Sequence, residues 1–300
     1  MIEHKQAMLD YQLNPTLWTP RITPNECIPA HITFCESHSK AYKESLKDNE
    51  LYSIPYSYRG MKENIDVFRP NHIPNNATII VYIHGGWWQW FSKDMFSYIA
   101  KPFNHAGAAV YIPAYTLAQN WTNDDPMGSI AKQLEYAMLE IFKEAEKKGA
   151  KKIVLVGHSA GGQLVSLLRN IDWQSQYGVS KAVVNLLSSA FSLAGLFDLT
   201  ELVNSYINDE IGMTQEQAQS VSPLLHSKAS DDRDLPPLYL VLPEYDTAEF
   251  FRQTKEYQQR LIKQNEQCRM KVLDGKDHVS MIESLIDTND ELFQYILKRL

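Results

Sequence analysis

Short apolar runs and longer amphipathic stretches take turns along most of this chain. Residues 65–68, 78–83, 108–112, 153–156, 188–193, 238–242 and 270–273 are brief, mostly apolar and often β-branched, as strands of a covered sheet are. Between them, apolar residues recur at helical spacing. Pro126 opens one such stretch, with Ile130, Leu134, Ala137, Met138, Ile141, Phe142 and Ala145 on one face and Gly149 after its end. A second carries Leu164, Val165, Leu167, Leu168 and Ile171, and a third carries Phe250, Tyr257 and Leu261. A further helix is expected over 93–105, N-capped by Ser92 and stopped at Gly107. Strands alternating with helices predict an α/β fold with a mostly parallel central sheet and helices on both faces. Ligands in such folds bind at the carboxyl ends of the strands.

Residues 1–50 break this rhythm. They read as helical pieces interrupted by a proline-bearing loop over 15–29, with Ala41, Tyr42 and Leu46 marking one apolar side. The segment is expected to wrap the body or cover the site, packing alone being the alternative. Residues 1–300 otherwise read as one domain.

Composition narrows the function classes. A chain of 300 residues with 44% hydrophobic content can bury one large core. A net charge of −7, its signs interspersed, argues against nucleic acid or an anionic membrane as partner. No apolar run approaches the ~20 residues that span a bilayer, and the charged N-terminus is unlike a signal peptide. Cys27, Cys35 and Cys268 form no C-x-x-C pair, so reduced thiols and a cytoplasmic setting are expected. No H-E-x-x-H or Cys/His cluster appears, so neither metal nor other cofactor is expected. The partner implied is a small molecule; a homodimer is compatible with the sequence.

The chemistry concentrates in KKIVLVGHSAGGQLVSLL, residues 151–168. A strand runs into a helix through Gly157-His158-Ser159-Ala160-Gly161, a turn so tight that a Cβ at either glycine would clash. The turn strains its middle residue and lifts that side chain clear of the sheet edge, so Ser159 is the candidate nucleophile of a G-x-S-x-G elbow. A serine hydroxyl needs a base to take its proton. His278, in the strand-to-helix loop after the last strand, is the candidate. His226 has no strand before it, and His158 should point away from Ser159. Asp246, just past the 238–242 strand, is the expected acid, with Glu244 as rival; Asp277 is adjacent to His278 and Asp274 reads as a turn residue. His84-Gly85-Gly86-Trp87-Trp88 also follows a strand. The N–H groups of Gly85, Gly86 and Ala160 can converge on a developing oxyanion, with His84 bracing the loop. Trp87 and Trp88 are the expected substrate-facing aromatics, Trp88 foremost; Trp90 and Phe91 stand beside them, and core packing is the alternative for all four.

These motifs together resemble a family. HGGWWQWFSKDM at 84–95, GHSAGG at 157–162, GLFDL at 195–199, EYDTAEFFRQ at 244–253 and DHVSMIESL at 277–285 are similar to those of arylformamidases (kynurenine formamidases). These belong to the α/β-hydrolase superfamily, near the hormone-sensitive-lipase-like esterases. The resemblance implies Ser159, Asp246 and His278 as a triad and Gly85, Gly86 and Ala160 as an oxyanion hole. It further implies hydrolysis of an N-formyl aryl amine such as N-formylkynurenine, releasing formate. The chain departs from the family's usual residues at Trp87, Gln163 and Ala194. A general carboxylesterase for short acyl esters is the alternative, and a non-catalytic binding protein on the same fold a further one.

Overall fold

The computed structural model describes residues 2–122, 124–226 and 234–300. Eight strands form one sheet: β1 (Leu51–Tyr58), β2 (Met61–Phe68), β3 (Ile79–Ile83), β4 (Ala109–Pro113), β5 (Ile153–His158), β6 (Leu187–Leu193), β7 (Leu238–Tyr245) and β8 (Cys268–Asp277). Their spatial order is β1-β2-β4-β3-β5-β6-β7-β8. The β1–β2 and β2–β4 pairs are antiparallel and all others parallel. Every residue of β3, β4 and β5 is buried. Their continuous apolar runs follow from helices on both faces, which leave no solvated side on which polar residues could alternate.

Three helices pack as their periodicity predicts. Pro126–Lys148 is N-capped by Asp125, whose Oδ1 accepts from the Gly128 N–H at 3.0 Å, and is closed by Gly149 at φ 64°. Ala160–Asn170 follows the elbow, and Ala248–Lys263 buries Phe250, Tyr257 and Leu261.

Other expectations need correction. β1 has no counterpart in the pattern reading, because Pro55 and its alternating polar residues disguise it. It lies at the sheet edge, where a residue without an N–H is tolerated. Segment 93–105 opens as a 3₁₀ helix, Lys93–Ile99, before the α-helix Ala100–His105.

The N-terminal segment departs furthest. The expected 15–29 loop ends early, because Pro24 occupies the first position of a long helix, Pro24–Ser45. Glu26 Oε2 reaches back to accept from the Thr23 N–H at 3.3 Å, fixing that start. The face turned inward is Cys27, His31, Cys35, Ser39 and Tyr42, a helical stripe of small and polar side chains. Ala41 is exposed and Leu46 lies past the helix end. Ser39 Oγ donates to the Met95 carbonyl at 2.8 Å, and Tyr42 Oη donates to Asn104, seating the helix on segment 93–105.

Candidate active site

β5 delivers Ser159 to the carboxyl edge of the sheet with φ 54° and ψ −119°, a conformation rare outside glycine. The turn is tight on all sides. A Cβ on Gly157 would lie 2.1 Å from the Gly161 carbonyl oxygen, and one on Gly161 would lie 2.1 Å from that of Ile83. The elbow is thereby wedged between its own helix and the end of β3.

The loop after β3 lies directly on the elbow. A Cβ on Gly85 would come within 2.9 Å of Ser159 Cβ and 2.8 Å of the His158 carbonyl oxygen, so the Gly85 backbone sits beside the serine. Ala160 opens the following helix, where an N–H has no intrahelical acceptor. His84 is fully buried and donates Nδ1–H to the Gly85 carbonyl at 2.8 Å, while its ring stacks on Tyr115 at 4.3 Å. Burial pushes its pKa down to about 4, so the ring stays neutral as it braces the loop.

β7 and β8 supply the other two groups. The register pairs Pro243 with Leu273 and then, after an irregularity, Tyr245 with Asp277. The residues after that last pair are Asp246 and His278, and His278 Nδ1–H donates to Asp246 Oδ2 at 2.8 Å. Asp246 is buried; its Oδ1 accepts from the Thr247 N–H at 2.8 Å. Glu244 points elsewhere, accepting from the Gly275 N–H at 2.7 Å. Of the two acids weighed from sequence, only Asp246 meets the imidazole.

Ser159 and His278 line one cavity of about 250 Å³, together with Gly85, Gly86 and His158. His158 turns toward the histidine loop rather than into open space: its Nε2–H donates to the His278 carbonyl at 2.8 Å, and the rings are 4.8 Å apart. Burial, followed by the proximity of His278, holds its pKa well below the ordinary histidine value. His226 lines a separate cavity with Asp172 and Glu266.

The aromatics divide. Trp87, Trp90 and Phe91 line the cavity, and Phe250 stands edge-on between Trp87 and His278, at 6.1 and 5.1 Å. Trp88 does not line it, contrary to expectation. Its side chain is fully buried and its indole N–H donates to Gln163 Oε1 at 3.1 Å; Gln163 Nε2 in turn donates to the Val221 carbonyl at 2.7 Å. A buried indole needs an acceptor, and this amide supplies one inside the fold.

The N-terminal segment covers the site, one of the outcomes expected for it, although its lining residues are not singled out by the sequence pattern. Asn14, Pro15, Thr16, Thr19, Cys27 and Ile28 reach the cavity from the N-terminal segment, with His31 beside them. The available signal was local: Thr23-Pro24-Asn25-Glu26 is a helix-start signature, and from it the Cys27/His31 stripe follows.

Residues 80–282 match the family described as alpha/beta hydrolase fold. The chain belongs to that family. Kynurenine formamidase from Danio rerio is 28% identical over 296 residues, covering 97% of this chain and 94% of the relative. The Drosophila melanogaster kynurenine formamidase is 29% identical over 294 residues, covering 94% of each. An esterase structure from Pyrobaculum calidifontis superposes with a TM-score of 0.67 at 18% identity, over 90% of each chain, and attests the fold. The chain is accordingly a hydrolase, related to kynurenine formamidases. Among the described residues no group of His, Cys, Asp and Glu is arranged to hold a metal ion, and no helix is long and apolar enough to cross a membrane.

Proposed function

We propose that this hydrolase cleaves the formamide of an N-formyl aryl amine such as N-formylkynurenine, with Ser159, His278 and Asp246 as its triad. The supporting observation is that His278, hydrogen-bonded to Asp246, faces the same aromatic-walled cavity as a strained Ser159. The near full-length likeness to kynurenine formamidases favours this substrate class.

Ser159 Oγ attacks the formyl carbon while His278 Nε2 takes its proton. Asp246, on Nδ1–H, holds the productive tautomer and offsets the imidazolium charge. The carbonyl oxygen becomes an oxyanion facing the N–H groups of Gly85, Gly86 and Ala160. Collapse breaks the C–N bond, and the imidazolium gives its proton to the departing amine. Water, deprotonated by His278, then attacks the formyl-serine ester, releasing formate and restoring the hydroxyl. Trp87 and Phe91 offer flat apolar surface to the aryl group. The free thiols of Cys27, Cys35 and Cys268 fit a reducing, cytoplasmic setting.

The same machinery serves a carboxylesterase of short acyl esters, a reading favoured by the esterase-like architecture. A turnover panel of N-formylkynurenine, formanilide and short-chain aryl esters decides between them. The expected result is a higher kcat/KM for the formamides. Ester turnover with no formamide cleavage overturns the reading in favour of the esterase.

A further inference from the structure

Asp277, the residue before His278, holds two parts of the molecule at once. On one side it organises the histidine loop. Its Oδ1 accepts from the Val279 N–H at 3.2 Å and the Ser280 N–H at 2.8 Å, and its own N–H donates to Ser280 Oγ at 2.8 Å. On the other side it receives the N-terminal segment. Arg21 Nε–H donates to Oδ2 at 2.5 Å, Arg21 Nη2–H to Oδ1 at 3.1 Å, and Thr19 Oγ1–H to Oδ2 at 2.7 Å. A second contact lies alongside: Arg21 Nη1 is 3.4 Å from Glu283 Oε2, and His31 Nδ1 is 2.8 Å from Glu283 Oε1. The partners Asp277 and Glu283 both belong to the stretch that begins at His278's doorstep. The donors Thr19, Arg21 and His31 all belong to the segment that walls the cavity.

We propose that the Arg21–Asp277 pair is a latch: it docks the N-terminal segment over the cavity and, through the same carboxylate, sets the turn that carries His278. Arg21 and Asp277 are thus positioning residues for the hydrolysis, and the proposal rests on the triad reading above. A two-pronged guanidinium–carboxylate bond fixes direction as well as distance, so it seats the segment in one way. An undocked segment leaves the carboxylate with its backbone donors only, and the His278 loop loses its outer restraint. The site is then competent only when covered.

Cys27 gives a reading of docking that does not depend on turnover. It lies on the segment, is buried, and faces the cavity. Burial first, and then Asp277, pushes its thiol up to about 11, whereas Arg21 acts to lower it. Losing Arg21 without undocking would therefore make the thiol less reactive.

The test compares wild type with Arg21→Met, Arg21→Lys and Thr19→Val. Site-resolved iodoacetamide labelling of Cys27 is followed by mass spectrometry, with Cys268, on β8, as internal reference. In parallel, kcat is measured on whichever aryl formamide or ester the wild type cleaves, and thermal melts check folding. Arg21→Met is expected to label Cys27 about tenfold faster and to lose about ten- to a hundredfold in kcat. Arg21→Lys, with charge but no fork, and Thr19→Val should fall between. Unchanged Cys27 labelling in Arg21→Met overturns the docking half, and faster labelling with kcat held within about twofold overturns the coupling. Wild type that neither turns over the panel nor reacts with a fluorophosphonate at Ser159 removes the triad reading, and the positioning role with it, whatever Cys27 does.

Discussion

Tyr245 pairs with Asp277 two residues out of step with the β7–β8 ladder below them, where Pro243 meets Leu273. Without that irregularity Asp246 would follow alongside Lys276; with it, the neighbour is His278. Gly275, at φ 69°, makes the extra turn, and Glu244 accepts its N–H. The two acids weighed from sequence thus divide the work: one meets the imidazole, and the other holds the irregularity that brings the imidazole there.

Asp246→Asn is therefore expected to lose up to ~10⁴ in kcat, because an amide favours the wrong tautomer and cannot offset an imidazolium. Glu244→Gln retains an acceptor for the Gly275 N–H and should stay within about threefold of wild type. Both are assayed on one substrate, with thermal melts as a folding check. A dead Glu244→Gln beside an active Asp246→Asn would reassign the acid.

Ser159→Ala removes a single hydroxyl and should abolish nearly all turnover, by ~10⁴ or more. Its melting temperature should match or exceed that of wild type, since alanine removes nothing that holds the elbow. Steady-state kinetics and calorimetry on one preparation check both; a variant keeping a tenth of its activity would exclude Ser159 as nucleophile.

The adjacent tryptophans should behave differently. Trp87→Ala opens the cavity wall, so KM for aryl substrates should rise with a small change in melting temperature. Trp88→Ala empties the core beneath the loop and strands Gln163, costing about 3–5 kcal/mol. Denaturant unfolding of both variants separates them; equal losses of stability would contradict the division.

Acid should destabilise the fold in two windows. His84 has a folded pKa near 4 and His158 one well below the ordinary value of about 6.5. The unfolded chain thus binds protons that the folded chain refuses, and stability falls as pH drops below about 6.5. Asp277 has the opposite chemistry and the same direction. Burial would raise its pKa, but the bonds from Arg21, Ser280 and Thr19 outweigh that and hold it at about 2. Its contribution is present above an ordinary carboxyl pKa of about 4 and is lost as pH falls toward 2. Melting curves from pH 7 to pH 2 should show both declines, the second smaller in Asp277→Asn, since Glu50 and Asp94 also titrate below their ordinary values.

The strands and helices of the α/β body could be read because burial on both faces leaves unbroken apolar runs, and because 153–168 holds strand, elbow and helix in one stretch. Cover of the site by the leading segment could be expected, but not which residues form it: Cys27 and His31 open an inward stripe that continues through Cys35, Ser39 and Tyr42. Hydrophobic periodicity cannot register a face that packs through a thiol, an imidazole and a hydroxyl. Trp88 was misplaced for a related reason. Adjacent tryptophans look alike in sequence, yet Trp87 lines the cavity while Trp88 is fully buried against Gln163.

The residues common to the family span 80–282, whereas the cavity is completed by side chains numbered 14 to 31. Part of the cavity wall thus comes from outside the family match, while Trp87, Trp90 and Phe91 line it from within. Exchanging this leading segment would alter that part of the wall while the elbow, Asp246 and His278 stay untouched. Transplanting residues 1–45 from one relative to another, with a matching partner for Asp277, is accordingly a route to altered substrate preference that leaves the reacting atoms alone.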